Sequence, residues 1–416
     1  MRLVLKRIHY KDEYGRDNVR KKLVLVRSPR RSSSARGSSA RRSRRRTRRG
    51  GFFRKAVLFV CLILVAAVAA GVIYGSGIVK KATASLDKLS RKDIGSTREE
   101  LLISDNAYED MKGTNTVNIA LFGKDVEDDG LQRSDSILIL SVNMDTGGMK
   151  LVSIQRDTFV PIPGYEDLYK INSAYMFGED ALAVRTLNRN FDMNISRFVT
   201  IDMEALCDIV DALGGIELTL SEEERVELNR YLDDINFRLG GPQSPYIQSP
   251  GTVLCDGRQA LTYARIRSLG NSDFDRTARQ RVLLDTVFRK LMKAVGDKNI
   301  RLLLRVIDAA SAHITTNMTD ADILRIAMKV VRGDRTLTAC SLSDPSYLKL
   351  GYVEDDMEAL VPDDLTDMAY ALHRILFGDS FVYDPSPEQI GASEMITDYI
   401  YYYGVELYEI DTGSTI

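Results

Sequence analysis

A set of arginines in an otherwise acidic stretch of chain has the makings of a phosphate site. Arg133 stands in "RSD", Arg156 in "QRD", Arg265 and Arg267 in "YARIR", and Arg276, Arg279 and Gln280 in "DFDRTARQR". Each lies beside a loop, at an expected strand end or helix start. Arg276 and Gln280 are four apart and share one face of the helix they open, with Arg279 close to the same face. Arg265 and Arg267 are two apart and share a face only where the chain is extended. Taken singly, each arginine reads as one half of a surface ion pair contributing ~0–1 kcal/mol. As a set they read as a pyrophosphate site, because the planar guanidinium binds phosphate oxygens two at a time and helix N-termini add to the attraction.

Two carboxylates belong with them. Asp125 closes one expected strand, in "FGKD", and Asp135 opens the next, in "RSDS". If those strands are neighbours, both acids stand on one rim of a sheet. Each alone is a common turn residue. Together, beside phosphate-binding arginines, they suggest Mg²⁺, which usually takes one or two carboxylates plus substrate phosphates. Other chemistries have little material. The chain has three histidines, His9, His313 and His373, and four cysteines with no metal-ligand spacing. Cys207 and Cys255 are open to two readings, a disulfide or two buried thiols.

Charge divides the chain. Up to Lys55 there are 21 Lys/Arg against 3 Asp/Glu, a net of +18, so the remainder of a chain whose total is −1 carries −19. Between the basic arm and the acidic body lies "AVLFVCLILVAAVAAGVIYGSGIV", Ala56 to Val79, with no charge in 24 residues. That is long enough to span a bilayer, which needs ~20 apolar residues. The arginines on its N-terminal side put residues 1–55 in the cytoplasm and the body outside. The Arg/Ser-rich arm reads as a largely disordered, solvated tail that also suits anionic membrane lipid. No specific nucleic-acid partner is expected, since no aromatic residues interleave its arginines. "KKLVLV" near Lys21 hints at a short strand.

The elements that must position the site follow from periodicity. Residues 80–114 read as a helical stalk. Thr116–Gly123, Ser136–Asn143 and Met149–Gln155 read as strands, the last two joined by the hairpin turn "DTGG". Helices are expected from Glu179 to Phe191, over "MEALCDIVDAL", over "DGRQALTYA" with Asp256 as N-cap, over "TARQRVLLDTVFRKLMKAV", and near 301–310 and 320–331. Short strands "RFVTI" and "IELTL" fall among them. The pattern predicts an α/β fold with a mixed central sheet sandwiched by helices, preceded by one transmembrane helix. The catalytic domain is expected over 115–343, and 344–416 forms an acidic, Tyr-rich extension read as a small appendage or an extra strand.

The ordered motifs "NIALFGKD…LQRSDSILILSVN…MKLVSIQRDTFVPI…YKINSAY…DALGGIEL…LCDGRQALTYARIR…DFDRTARQR" resemble the LytR–CpsA–Psr family of membrane-anchored phosphotransferases of bacterial cell-wall assembly. Gln155 stands where that family often has Pro. The resemblance implies Mg²⁺, with Mn²⁺ as the alternative, on Asp125 and Asp135. It implies pyrophosphate binding by Arg133, Arg156, Arg265, Arg267 and Arg276 with Gln280 beside them, and Lys170 and Asn172 near the substrate. Asp273 matches the acid opening the last motif, and with Asp135 it is a candidate general base. The implied substrate is a polyprenyl-pyrophosphate-linked glycopolymer and the acceptor a peptidoglycan hydroxyl. Two other functions are alternatives: a pyrophosphatase that uses the same site with water in place of the sugar hydroxyl, and a non-enzymatic envelope-associated transcriptional regulator that would act through the Arg-rich arm.

Overall fold

A computed structural model describes residues 2–11, 17–26, 86–126, 132–202, 204–266, scattered positions between 269 and 298, and 299–410 apart from 334–335, 345 and 354–356. The apolar run Ala56–Val79 lies outside the described residues. No helix among the described residues is long and apolar enough to cross a membrane. Near the N-terminus, β1 (Arg2–Lys11) and β2 (Asp17–Val26) pair antiparallel, so the "KKLVLV" segment lies in the second strand of a hairpin.

The body is built on a seven-stranded sheet. Its chain begins with β3 (Ser90–Arg91) and α1 (Asp105–Lys112), followed by β4 (Thr116–Val126), β5 (Gln132–Asn143) and β6 (Met149–Ile154). A small hairpin, β7 (Phe159–Pro161) and β8 (Leu168–Lys170), leads into α2 (Ser173–Phe191) and β9 (Arg197–Asp202). Then come α3 (Glu204–Ala212), β10 (Ile216–Leu220), α4 (Glu222–Leu239), β11 (Gly251–Cys255) and α5 (Gly257–Arg265). Helical positions between Arg279 and Ala294 bury Leu283, Val287, Leu291 and Ala294, the spacing of one helix face. The remainder is α6 (Ile300–Ser311), β12 (Ile314–Thr316), α7 (Asp320–Arg332), β13 (Leu337–Leu342), β14 (Leu348–Val353), β15 (Met357–Pro362), α8 (Leu365–Phe377), α9 (Pro387–Tyr403) and β16 (Leu407–Tyr408).

The strand order is β13-β6-β5-β4-β9-β12-β3. β4, β5 and β6 run antiparallel to their neighbours in that group, whereas β9 lies parallel to β4 and β13 parallel to β6. The sheet is therefore mixed, as the pattern predicts. The "DTGG" turn forms between β5 and β6. Gly147 sits there at φ +79°, where a Cβ would meet the Lys329 carbonyl oxygen at 2.6 Å, so glycine is required both for the turn and for its docking on α7.

Strand side chains alternate between two cores. Ile119, Leu121, Leu138, Leu140 and Leu151 belong to one, packed with α3 to α7. Ala120, Phe122, Ile137, Ile139 and Val152 belong to the other, packed with α1, α2, α8 and α9. The period-two pattern thus buries both faces, which is why these strands read as nearly continuous apolar runs.

Two segments differ from expectation. Residues 86–114 are not a free helical stalk. β3 adds to the sheet edge beside β12, and Leu86, Leu89, Ile94, Leu101, Ala107 and Met111 are buried. Lys92 reaches α2, where its ammonium bonds Glu179 and, at 3.1 Å, the buried Asp180. This contact falls at a break in α2, where Gly178 and Glu179 leave helical geometry. Nor is the C-terminal segment an appendage. Leu365, Met368, Leu372, Ile396 and Tyr399 complete the second core, and β14, β15 and β16 form their own small sheet. The apolar faces of α8 and α9 are covered by α2, a partner that local sequence does not reveal.

Asp192 ties these pieces together. It caps α2 in the left-handed conformation at φ 47° and is buried. Its carboxylate accepts from the Ser104 hydroxyl at 2.9 Å, the Tyr383 hydroxyl at 3.0 Å, and the Ser386 amide and hydroxyl at 2.7 and 2.6 Å. A buried charge is tolerable only with such a set of donors. His313 makes a second clamp, with Nδ1 3.1 Å from Asp202 and Nε2 2.9 Å from Asp208. Hydrogen bonding to Asp202, seconded by Asp208, pushes its pKa up to about 9 against the opposing effect of burial. His373 is buried and held neutral by desolvation, its Nε2 donating to the Phe191 carbonyl at 2.8 Å. Neither histidine stands ready as a catalytic base. Cys207 and Cys255 are free and buried, which decides their reading in favour of thiols.

Two stability predictions follow from these clamps. Asp192→Ala leaves several buried donors unpaired and should cost about 3–5 kcal/mol, read as a lower urea midpoint, while Asp379→Ala on the surface should change little. For His313 the folded-state pKa exceeds the unfolded one, so its contribution is complete below ~6.5 and is lost as pH rises through about 9. The urea midpoint of the wild-type chain should therefore fall between pH 7 and 9.5, and that fall should be absent in His313→Gln.

Candidate functional site

The site forms at one end of the central sheet. β6 stops at Ile154, and the chain turns over Gln155 to Thr158, closed by the Thr158 amide and hydroxyl donating to the Gln155 carbonyl at 3.1 and 2.7 Å. Arg156 and Asp157 are the two central residues of that turn. The Asp157 carboxylate lies 3.1 Å from Lys170 Nζ at the end of β8 and 3.5 Å from Arg156 Nε. Asn172, buried at the start of α2, donates its amide to the Arg156 carbonyl at 3.2 Å. Ile171 donates to the Thr158 carbonyl at 2.8 Å. Two cationic side chains on separate elements are thus fixed around one carboxylate, with Asn172 locked to the same turn by its backbone.

The neighbouring strands bring the other rim residues to this end. Ile137 of β5 pairs with Ile154 of β6, so the N-terminal end of β5 meets the C-terminal end of β6. Across the other side, Asp125 of β4 pairs with Arg133 of β5. Between them the register shifts: Gly123 pairs with Ser136 and Lys124 with Ser134. Asp135 is the extra residue of a β-bulge, a device that re-aims side chains and recurs beside active sites. The expected condition is therefore met in the backbone: Asp125, Arg133, Asp135 and Arg156 all lie at one end of the sheet. Parallel pairing of β9 with β4 sets Asp202 opposite Lys124 there as well.

The hydroxyls of Ser134 and Ser136 flank the bulge, buried and with no hydrogen-bond partner among the described residues. Buried polar groups are nearly always satisfied, so a pair of orphans signals a water, an ion or a ligand at that place. The backbone puts Asp125 and Asp135 on the same strand ends, and carboxylates, water and phosphate oxygens are the donor types that a hard divalent cation takes. Sequence reasoning passed over these serines. Their signal was small hydroxyl residues alternating with Arg133 and Asp135 where the strand would otherwise continue apolar.

The third arginine motif is described in part. Arg265 is the last residue of α5, which packs across α3, and α3 begins two residues after Asp202. Ile266 follows as the C-cap, outside helical geometry at φ −56°, ψ 121°. Arg267, Asp273, Arg276 and Gln280 lie outside the described residues. Arg279 is buried: it donates to the Ile266 carbonyl at 2.8 Å and approaches Glu224 at 3.8 Å. It clasps the end of α5, so its guanidinium is engaged with the protein's own backbone.

Comparison with known proteins places the chain in a family. The LytR_cpsA_psr family matches residues 76–348. An Enterococcus faecalis protein named polyisoprenyl-teichoic acid–peptidoglycan teichoic acid transferase TagU is 30% identical over 241 residues, covering 57% of this chain and 73% of that protein. A Bacillus cereus protein of the same name is 29% identical over 264 residues, covering 62% and 79%. Among solved structures, one from Streptococcus agalactiae aligns with a TM-score of 0.48 at 22% identity, covering 71% of this chain and 96% of that one. On the extent of that family match, which takes in the sheet, the bulge and the Arg156–Lys170 rim, the chain belongs to the LytR_cpsA_psr family.

Proposed function

We propose that this chain is a membrane-anchored, Mg²⁺-dependent transferase that moves an anionic glycopolymer from a polyprenyl-pyrophosphate carrier to a peptidoglycan hydroxyl. The observation that carries the reading is the rim itself. Arg156 and Lys170 are held around Asp157 at the sheet end where the backbone also delivers Asp125, Arg133 and Asp135. The names of the relatives, teichoic acid transferases acting with polyisoprenyl carriers, support the same substrate class. The uncharged run Ala56–Val79 supplies the anchor, with the basic arm in the cytoplasm and the site outside.

Phosphoryl transfer asks the protein mainly for positioning and charge neutralisation. Arg156, Lys170 and Arg133 bind the diphosphate oxygens, and the motif resemblance adds Arg265, Arg267, Arg276 and Gln280 as further donors. Asp157 fixes Arg156 and Lys170 before substrate arrives, so less ordering remains for binding to supply. Asn172 holds the Arg156 backbone. The acceptor oxygen attacks the phosphorus bonded to the sugar, the bond to the bridging oxygen breaks, and polyprenyl phosphate leaves. The hydroxyl proton passes to a carboxylate, Asp135 or Asp273. Asp125 and Asp135 would hold Mg²⁺, with Mn²⁺ as a substitute, and the bound cation offsets charge on the diphosphate.

The decisive measurement is reconstituted transfer of polymer from a lipid-linked donor onto purified peptidoglycan. Arg156→Ala should lower the rate by ~100-fold or more, the scale for loss of one charge-stabilising donor, with an unchanged melting temperature because its guanidinium is partly exposed. Transfer at the wild-type rate in that variant would sink the proposal. Chelation by EDTA should abolish turnover and added Mg²⁺ should restore it. Release of polyprenyl phosphate that does not depend on peptidoglycan would assign the site to a pyrophosphatase instead.

A further inference from the structure

The C-terminal segment, beyond residue 348 where the family match ends, carries a cleft that the transfer chemistry above does not use. It has a volume of about 500 Å³ and is lined by Tyr352, Tyr399, Tyr403, Glu406 and Tyr408, with others. The rings form two pairs: Tyr352 with Tyr408 at 6.2 Å and 76°, and Tyr399 with Tyr403 at 4.5 Å and 39°. Tyr352, Tyr403 and Tyr408 are each more than 40% exposed. Scattered exposed aromatics are ordinary, but three converging on one cleft, backed by the buried Tyr399, mark a binding surface. The Tyr408 hydroxyl donates to Glu406 at 2.8 Å, which places a carboxylate and phenol oxygens among the ring faces.

We propose that this cleft docks the glycan strand of the acceptor, peptidoglycan, a reading that rests on the transferase function above. Pyranose rings present C–H faces that stack on aromatic rings and hydroxyls that bond carboxylates and phenols, and the cleft offers both. Charge selects among glycans. Residues 344–416 contain 16 Asp/Glu against 2 Lys/Arg. That field repels the phosphate-rich donor polymer and tolerates a neutral or amine-bearing strand. The small sheet that carries part of the cleft is bonded to the rim turn. The Leu360 amide of β15 donates to the Asp157 carbonyl at 2.9 Å, and Thr158 forms a parallel bridge with Leu360. Phe159 packs edge-on against Tyr399 at 5.1 Å. One peptide stretch, Asp157 to Phe159, therefore carries the cationic rim and packs on Tyr399, a residue of the cleft wall. The donor is held by arginine and lysine, the acceptor by tyrosine and acid, and opposite charge keeps each from the other's place.

The test is co-sedimentation of the full chain, in detergent, with purified sacculi stripped of anionic polymer. Tyr403→Ala/Tyr408→Ala should weaken sacculus binding at least tenfold and leave affinity for a short polyprenyl pyrophosphate unchanged. Tyr403→Leu/Tyr408→Leu, which keeps apolar volume, should show the same loss if the alanine pair fails to fold. Tyr401→Ala, outside the lining, should bind like wild type. Sacculus binding at wild-type strength in both double variants overturns the proposal. So does a wild-type chain that prefers isolated anionic polymer and loses that preference in the double variants. Arg156→Ala separates the two readings: it should lose pyrophosphate and keep sacculi, whereas transfer surviving in it defeats the enzyme function without bearing on the cleft.

Discussion

The site depends on one carboxylate. Arg156 and Lys170 would repel each other at the end of the sheet, and Asp157 lies between them, 3.5 and 3.1 Å away. In solvent such pairs add little stability, ~0–1 kcal/mol each. Their use here is geometric. They order two long, rotamer-rich side chains from two elements around one carboxylate, so the entropy of ordering them is spent in folding. The backbone of the same residue is equally committed, since its carbonyl accepts from Leu360 of the C-terminal sheet. A single position thus joins the cationic rim to the segment that follows the family match.

The sheet is what makes such a rim possible. Both of its faces are consumed by packing, one against α3 to α7 and the other against α1, α2, α8 and α9. Polar chemistry is left only the strand ends, where backbone pairing stops and loops begin. The bulge at Asp135 sharpens that end. It breaks the alternation that would otherwise continue from the apolar strand, and it leaves Ser134 and Ser136 buried with unpaired hydroxyls beside a carboxylate residue. Such local dissatisfaction is tolerated where a ligand resolves it.

The segments before and after the catalytic motifs do structural service. Lys92 anchors the entering chain to the break in α2, and Asp192 gathers Ser104, Tyr383 and Ser386 around the end of that helix. α2 is therefore held at its middle by the chain that precedes the sheet and at its end by the chain that closes the fold. Asn172, the residue before α2, is bonded to the Arg156 carbonyl, so the N-terminal part of the helix, ahead of its break at Gly178 and Glu179, adjoins the rim.

Much of this was legible in the residues. Short apolar runs gave the central strands, glycines gave the β5–β6 turn and the end of α3, and the Asp256 cap gave α5, because these features depend on neighbours within a few positions. The candidate rim was readable in the same way: Arg156 and Asp125 stand at strand ends, and strand ends follow from local pattern. What only the tertiary structure decided depends on partners far along the chain. Residues 86–114 looked like a stalk because their sheet partner, β12, lies over two hundred residues away. The C-terminal segment looked like an appendage because its apolar stripes name no partner, and α2 supplies one. Lys170 meeting Asp157, the bulge at Asp135, the burial of Arg279 and the cleft among tyrosines all arise from pairing and packing that local sequence does not encode. Spacing along a chain tells which side chains share an element's face, and only the folded sheet tells which faces meet.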